Sequence, residues 1–115
     1  MRYLCLFYID AEVVSTVGAD ELAQIHRESL ALDERLKQSG RYVLSSGLAE
    51  PATARTLRVR KSEVRWTDGP FMETKEHLGG FLLIEAADLS EATRIAEQDP
   101  LARIGAIEIR ATRSP

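Results

Sequence analysis

Arg2-Tyr3-Leu4-Cys5-Leu6-Phe7-Tyr8-Ile9 and its counterpart Gly80-Phe81-Leu82-Leu83-Ile84-Glu85-Ala86-Ala87 decide the fold. Each run is apolar or aromatic, too short for a typical helix, and suited to a buried strand. In a strand, neighbouring side chains point to opposite faces. Leu4, Leu6 and Tyr8 therefore share one face, and Tyr3, Cys5, Phe7 and Ile9 the other. In 80–87, Phe81 and Leu83 oppose Leu82 and Ile84. Both segments are apolar on two sides, which marks central strands that need cover on both.

Working outward, Asp20 reads as a helix N-cap and Gly40 as the stop. Leu22, Ile25, Leu32 and Leu36 recur between them at three- and four-residue steps and form one stripe of a long amphipathic helix. Ser29 falls on that stripe. Residues 41–49 (RYVLSSGLA) read as a second strand, ended by Glu50-Pro51. Residues 55–60 and 63–67 alternate. Leu57, Val59, Val64 and Trp66 point one way and Arg58, Arg60, Glu63 and Arg65 the other, which predicts a hairpin with one wet face. Residues 68–78 are a polar connection with a Gly-Pro break, and 80–87 are the apolar strand. Asp88 with Glu91 resembles a capping box, Leu89, Ala92 and Ala96 would face inward, and Pro100 ends that helix. Residues 105–111 (GAIEIRA) alternate as a last strand.

Without the hairpin, the order is β-α-β-β-α-β, the ferredoxin-like arrangement of an α+β protein. Right-handed crossovers put both helices on one face of an antiparallel sheet. The central strands then keep an uncovered apolar face larger than monomers usually carry. A second copy packed sheet to sheet about a two-fold axis would cover it, so a homodimer is expected.

The bulk composition narrows the class. The chain has 115 residues, enough for one domain over 1–115. Apolar residues make up 44% and charged residues 29%, an ordinary globular balance. The net charge of −3 argues against a nucleic-acid-binding or polybasic membrane protein. No signal-peptide pattern opens the chain, and no apolar run approaches the roughly 20 residues of a membrane helix. The one cysteine, Cys5, excludes an internal disulfide and suits a reducing cytoplasm. Its apolar setting predicts a packed thiol rather than a nucleophile.

The chemistry-bearing residues crowd into 66–80. Asp68-Gly69-Pro70 is turn chemistry, in which a carboxylate accepts nearby backbone N–H groups. Phe71 would pin the loop to the body. Glu73, Lys75, Glu76 and His77 then bring titratable groups together, and Gly79-Gly80 allows a close backbone approach. A connection longer than a hairpin needs is a common place for a site. Asp68 and Glu73 are the candidate catalytic carboxylates; Ser29, Lys75, Glu76 and His77 are candidate ligand contacts, with Lys75 holding an anion. No His/Cys spacing points to a metal, and no cofactor motif is present. The Arg58, Arg60, Lys61 and Arg65 cluster lacks a phosphate loop or stacking aromatics and reads as the wet hairpin face.

Asp68-Gly69-Pro70-Phe71, Glu73-Thr74-Lys75-Glu76 and Leu78-Gly79-Gly80-Phe81 together resemble the signature of the YCII-related, DGPF-motif proteins. The resemblance extends to Val59-Arg60, to Asp88-Leu89 with Glu91-Ala92, and to Pro100. It implies a ferredoxin-like fold, pairing of the dimeric α/β-barrel type and an activity that is mostly unassigned. The founding branch carries a His–Asp pair whose positions here fall on Ser29 and Gln38, so that pair does not carry over; His26 and Asp33 lie nearby but do not match by position. In the DGPF branch the resemblance also implies a regulatory link to extracytoplasmic-function sigma factors.

Two functional expectations result. One is a cytoplasmic homodimer that binds a small molecule between the sheet and the first helix, bordered by 68–78, and that works without a cofactor if it is an enzyme. The other is a regulatory or interaction protein with no chemistry of its own.

Overall fold

The structure, a computed structural model, describes residues 1–113. Its strands are β1 (Arg2–Asp10), β2 (Tyr42–Gly47), β3 (Arg55–Arg60), β4 (Glu63–Asp68), β5 (Glu76–Glu85) and β6 (Gly105–Ala111). Its α-helices are α1 (Ala11–Thr16), α2 (Ala19–Gln38) and α3 (Leu89–Glu97). Four strands form one antiparallel sheet in the order β2-β5-β1-β6, which is the ferredoxin-like order; β3 and β4 form a separate two-stranded sheet. Cys5 on β1 lies opposite Leu82 on β5 and Ile109 on β6.

The two-sided reading of the central strands holds. Tyr3, Cys5, Phe7, Leu82 and Ile84 are buried against Leu32 and Leu36 of α2 and Ala92, Ile95 and Ala96 of α3. Fully burying a side chain such as Leu32 or Ile84 contributes about 1.5–3 kcal/mol. Both long helices lie on this face. Leu4, Leu6, Tyr8, Phe81 and Leu83 on the other face are only half-buried, and Leu44 is exposed.

Between Phe7 and Tyr8 the β1–β5 register slips: Phe7 faces Gly80, but Tyr8 faces Leu78. Gly79 is the extra residue of a β-bulge. A Cβ there would lie 2.6 Å from Ile9 Cγ1, and at Gly80 it would lie 2.9 Å from the Ser46 carbonyl oxygen. The glycine pair therefore admits the Ile9 side chain and the β2 backbone.

Several boundaries differ from expectation. Helix α2 is capped by Gly18 with no side-chain bond, and Asp20 sits inside its first turn, where a carboxylate favours the positive end of the helix dipole. The short α1 was not anticipated. Asp10 caps it, accepting N–H bonds from Glu12 at 3.0 Å and Val13 at 3.4 Å. Gly40, with φ of +75°, follows α2 as expected. The second strand is shorter than 41–49, and Pro51–Thr53 form a 3-10 turn. Strand β5 starts at Glu76, so Glu76 and His77 belong to a strand rather than to the preceding loop.

At α3, Asp88 Oδ1 accepts the Glu91 N–H at 2.8 Å, while Glu91 Oε1 accepts from the Ala87 N–H at 3.2 Å. This is a capping box displaced by one residue. Glu91 also pairs with Arg41 and so ties α3 to the start of β2. Leu89 is 56% exposed and does not face inward; Ile95 takes that place in the core. The first residue of a helix this short lies over solvent rather than over the sheet.

The hairpin β3–β4 departs most from expectation. Its Lys61-Ser62 turn has φ of +49° and +67°, the primed geometry that suits two-residue hairpins. Leu57 pairs with Trp66 and Val59 with Val64 across it. That apolar face is exposed like the basic one, because the hairpin is not joined to the main sheet. It projects as an arm.

Candidate functional site

Helix α2 presents His26, Ser29 and Asp33 at steps of three and four residues, so they share one face. Opposite them, β2 turns Ser45 toward the helix. Between these elements lies a pocket of about 400 Å³. Phe7, Ile9, Leu30 and Leu101 line its apolar walls, with Ser46, Gly47, Gly79, Gly80 and Phe81 at the strands.

Asp33 is the central polar group. Its Oδ2 accepts a hydrogen bond from Ser45 Oγ at 3.0 Å, and Ser45 Oγ lies 2.7 Å from the Tyr42 hydroxyl. Burial pushes the Asp33 carboxyl above its ordinary value, against the pull of the Ser45 bond and the Lys37 charge. Lys37 itself stacks 4.9 Å over the Tyr42 ring.

Beneath Ser29 lies Asp99, which is 3% exposed. One carboxylate oxygen accepts the Leu101 N–H at 3.1 Å and starts the 3-10 turn Pro100–Ile104; Oδ2 has no hydrogen-bond partner among the described residues. Burial raises the Asp99 carboxyl above the usual range, the Leu101 N–H and the nearby Ser29 hydroxyl lower it, and the Asp33 charge raises it. Burial and the Asp99 charge push the Cys5 thiol up to about 11. Cys5 is thus a packed, protonated thiol, as its sequence setting implies.

The expected site residues separate into three places. Ser29 lines the α2 pocket. Asp68 is on the fully exposed end of β4, 3.5 Å from Arg55 Nε. Glu73 is exposed, and Lys75 Nζ pairs with Glu12 Oε2 at 3.0 Å on the surface. Glu76 pairs in register with Asp10 at the start of β5. His77 borders two shallower hollows, of about 540 and 560 Å³, on the far side of Ile9 and beside Leu48, Phe71 and Met72. Residues 68–78 therefore contribute nothing to the lining of the α2 pocket. Phe71 does not pin the loop to the body: it is 65% exposed, and the Arg58 guanidinium stacks 4.7 Å above its ring. The loop follows the arm instead of crossing the sheet.

His26, Asp33, Ser45 and Asp99 join the site beyond the residues expected from the sequence. The helical spacing of His26, Ser29 and Asp33 was visible in the sequence; the arrival of Ser45 and Asp99 depends on chain folding. Among the described residues, no three His, Cys, Asp or Glu side chains are grouped to hold a metal ion. No helix of the described residues is long and apolar enough to cross a membrane.

The fold and pocket define a ferredoxin-like α+β domain with a carboxylate-bearing cavity between its sheet and first long helix. The model of the YCII-related domain matches residues 1–114, and the chain belongs to that family. An uncharacterised protein of Rhizobium meliloti (strain 1021), R00369, is 36% identical over 96 residues, covering 84% of this chain and 77% of that protein. Among solved structures, 5-chloro-2-hydroxyhydroquinone dehydrochlorinase (TftG) from Burkholderia phenoliruptrix AC1100, in complex with 2,5-dihydroxybenzoquinone, aligns with a TM-score of 0.56. It is 18% identical and covers 100% of this chain and 96% of its own. That likeness shows the shared fold.

Proposed function

We propose that this chain binds a small, uncharged, hydroxylated molecule in the α2 pocket and transfers a proton there without a cofactor. The half-buried Asp33 carboxylate, held by Ser45 and raised by burial, carries this reading. A carboxyl whose affinity for protons is increased is better matched to acid–base work near neutrality. Asp33 would accept or return the proton, Ser45 and Tyr42 would position it, and Ser29 and His26 would contact the ligand's polar groups. The lining residues include carboxylate, imidazole and hydroxyl groups but neither lysine nor arginine. That set favours a neutral hydrogen-bond donor over an anion. Asp68, Glu73 and Lys75 then serve the loop and the arm.

In the same reading the protein acts in the cytoplasm as a homodimer joined through the uncovered face of Leu4, Leu6, Phe81 and Leu83. The free, packed Cys5 accords with a reducing compartment.

The test is a panel of phenols, catechols and hydroquinones, uncharged at neutral pH, screened by thermal shift and then for turnover. A panel member should stabilise the wild type. Asp33→Asn should keep binding and lose turnover, while Asp68→Asn keeps both. Turnover unchanged in Asp33→Asn, or no stabilisation by any compound, overturns the proposal. Binding without turnover in the wild type would favour a non-enzymatic role, which the exposed arm also suits.

A further inference from the structure

Among the described residues, the arm β3–β4 pairs with no other strand of its own chain. An isolated two-stranded hairpin is marginal in water, yet this one displays Leu57, Val59, Val64 and Trp66, each 48–60% exposed. On its other face Arg58 lies directly opposite Arg65, a cross-strand repulsion that a lone hairpin gains nothing from.

The dimensions say how much cover is missing. The chain exposes 8043 Å², against roughly 6,300 Å² expected of a compact monomer of its mass. Its radius of gyration is 16.1 Å, where a compact domain of this length has about 13 Å. The molecule measures 47 × 42 × 19 Å, and its body is one helix layer on one sheet. The excess, about 1,700 Å² by that scaling, exceeds the roughly 800 Å² per partner of a standard interface and suits an obligate one.

Charge identifies the occupant. Residues 55–68 carry five cationic and two anionic side chains, net +3; the other 101 residues carry ten cationic and sixteen anionic ones, net −6. A second copy therefore offers an acidic body to a basic arm, and its arm returns the same contact. The surface is also continuous: the hollow formed by Tyr8, Leu48, Phe71, Met72 and Leu78 joins the arm's root to the open sheet face.

We propose that β3–β4 is an exchange arm, laid by each chain on the body of a second copy, with Leu57, Val59, Val64 and Trp66 buried in the contact. This rests on the sheet-face pairing proposed above and is independent of the α2 pocket's chemistry.

Trp66 is the only tryptophan and reports on the arm directly. Light scattering and Trp66 emission are followed together over a dilution series of the full chain from high to low micromolar. A mass of two chains, with emission moving to the blue as the dimer forms, is the expected result. Leu57→Asp and Val64→Asp, at sites exposed in the single chain, should weaken pairing at least tenfold and leave far-UV circular dichroism unchanged. A dimer whose Trp66 emission stays that of an exposed indole, or that tolerates both aspartates, overturns the exchange arm and leaves the sheet-face dimer standing. A single-chain mass throughout overturns both. A single chain whose Trp66 emission responds only to an added DNA duplex overturns the proposal in favour of a nucleic-acid arm.

Discussion

Ser45 Oγ donates to Asp33 Oδ2 at 3.0 Å and thereby fastens α2 to β2 across the mouth of the pocket. The bond stabilises the ionised carboxylate and opposes the effect of burial. Ser45→Ala should therefore raise the Asp33 pKa further. The acidic limb of any pH–rate profile should move to higher pH, with the fold intact. A carboxyl-carbon NMR titration of Asp33 checks this; an unmoved or lowered midpoint contradicts it.

Asp99 should govern how stability responds to pH. Its folded-state pKa is raised, so the native chain binds its proton more tightly than the unfolded chain does. Stability from this group is full below the ordinary carboxylate range and is lost as pH rises from there through the raised value. Asp99→Asn keeps an oxygen for the Leu101 N–H and removes the buried charge. The variant should melt higher than wild type at neutral pH, and its advantage should vanish under acid conditions. Equal melting temperatures across the whole range would show that Asp99 is not strained by its burial.

Burial separates two leucines that sequence periodicity treated alike. Leu32 is 1% exposed and Leu89 is 56% exposed. Leu32→Ala should cost about 2–5 kcal/mol through lost burial and a cavity, whereas Leu89→Ala should stay within about 0.5 kcal/mol. Urea unfolding of the two variants measures the difference. Similar losses would mean that α3 docks differently.

Gly105 begins β6 where it meets β1. A Cβ added there would lie 1.7 Å from the Tyr8 carbonyl oxygen and 3.0 Å from the Ile9 Cα. No rotamer relieves a clash with backbone, so Gly105→Ala must displace one strand of the pair. The expected result is a large loss of stability and faster amide exchange along Tyr3–Ile9. Gly18→Ala, where nothing lies within 4 Å, is the control and should be nearly neutral in packing.

Local pattern revealed much of this architecture. Alternation along β1 and β5 gave away their central place, and the Leu22, Ile25, Leu32, Leu36 stripe showed which side of α2 is inward. The limits of pattern appear at the hairpin and at the pocket. Leu57, Val59, Val64 and Trp66 alternate as a half-buried strand pair should, but alternation records that a face wants cover and not whose atoms supply it. Asp33 and Ser45 are twelve residues apart, and only the α2–β2 packing sets one beside the other. The charged run 73–77 drew attention through density of titratable groups, yet those side chains diverge: Lys75 goes to Glu12, and His77 joins β5 beside Ile9.

The bulge at Gly79 has a consequence for how this chain can vary. Upstream of it, Leu78 and His77 occupy sides of the ribbon opposite to those that uninterrupted alternation from Leu82 would assign. A chain that kept Gly79 but drew it into the regular ladder would suffer a frameshift in space, sending His77 and Leu78 to each other's side while leaving everything after Phe81 in place. A single inserted residue should therefore be tolerated around 72–74 and rejected at 79–80, although the two positions lie only a few residues apart.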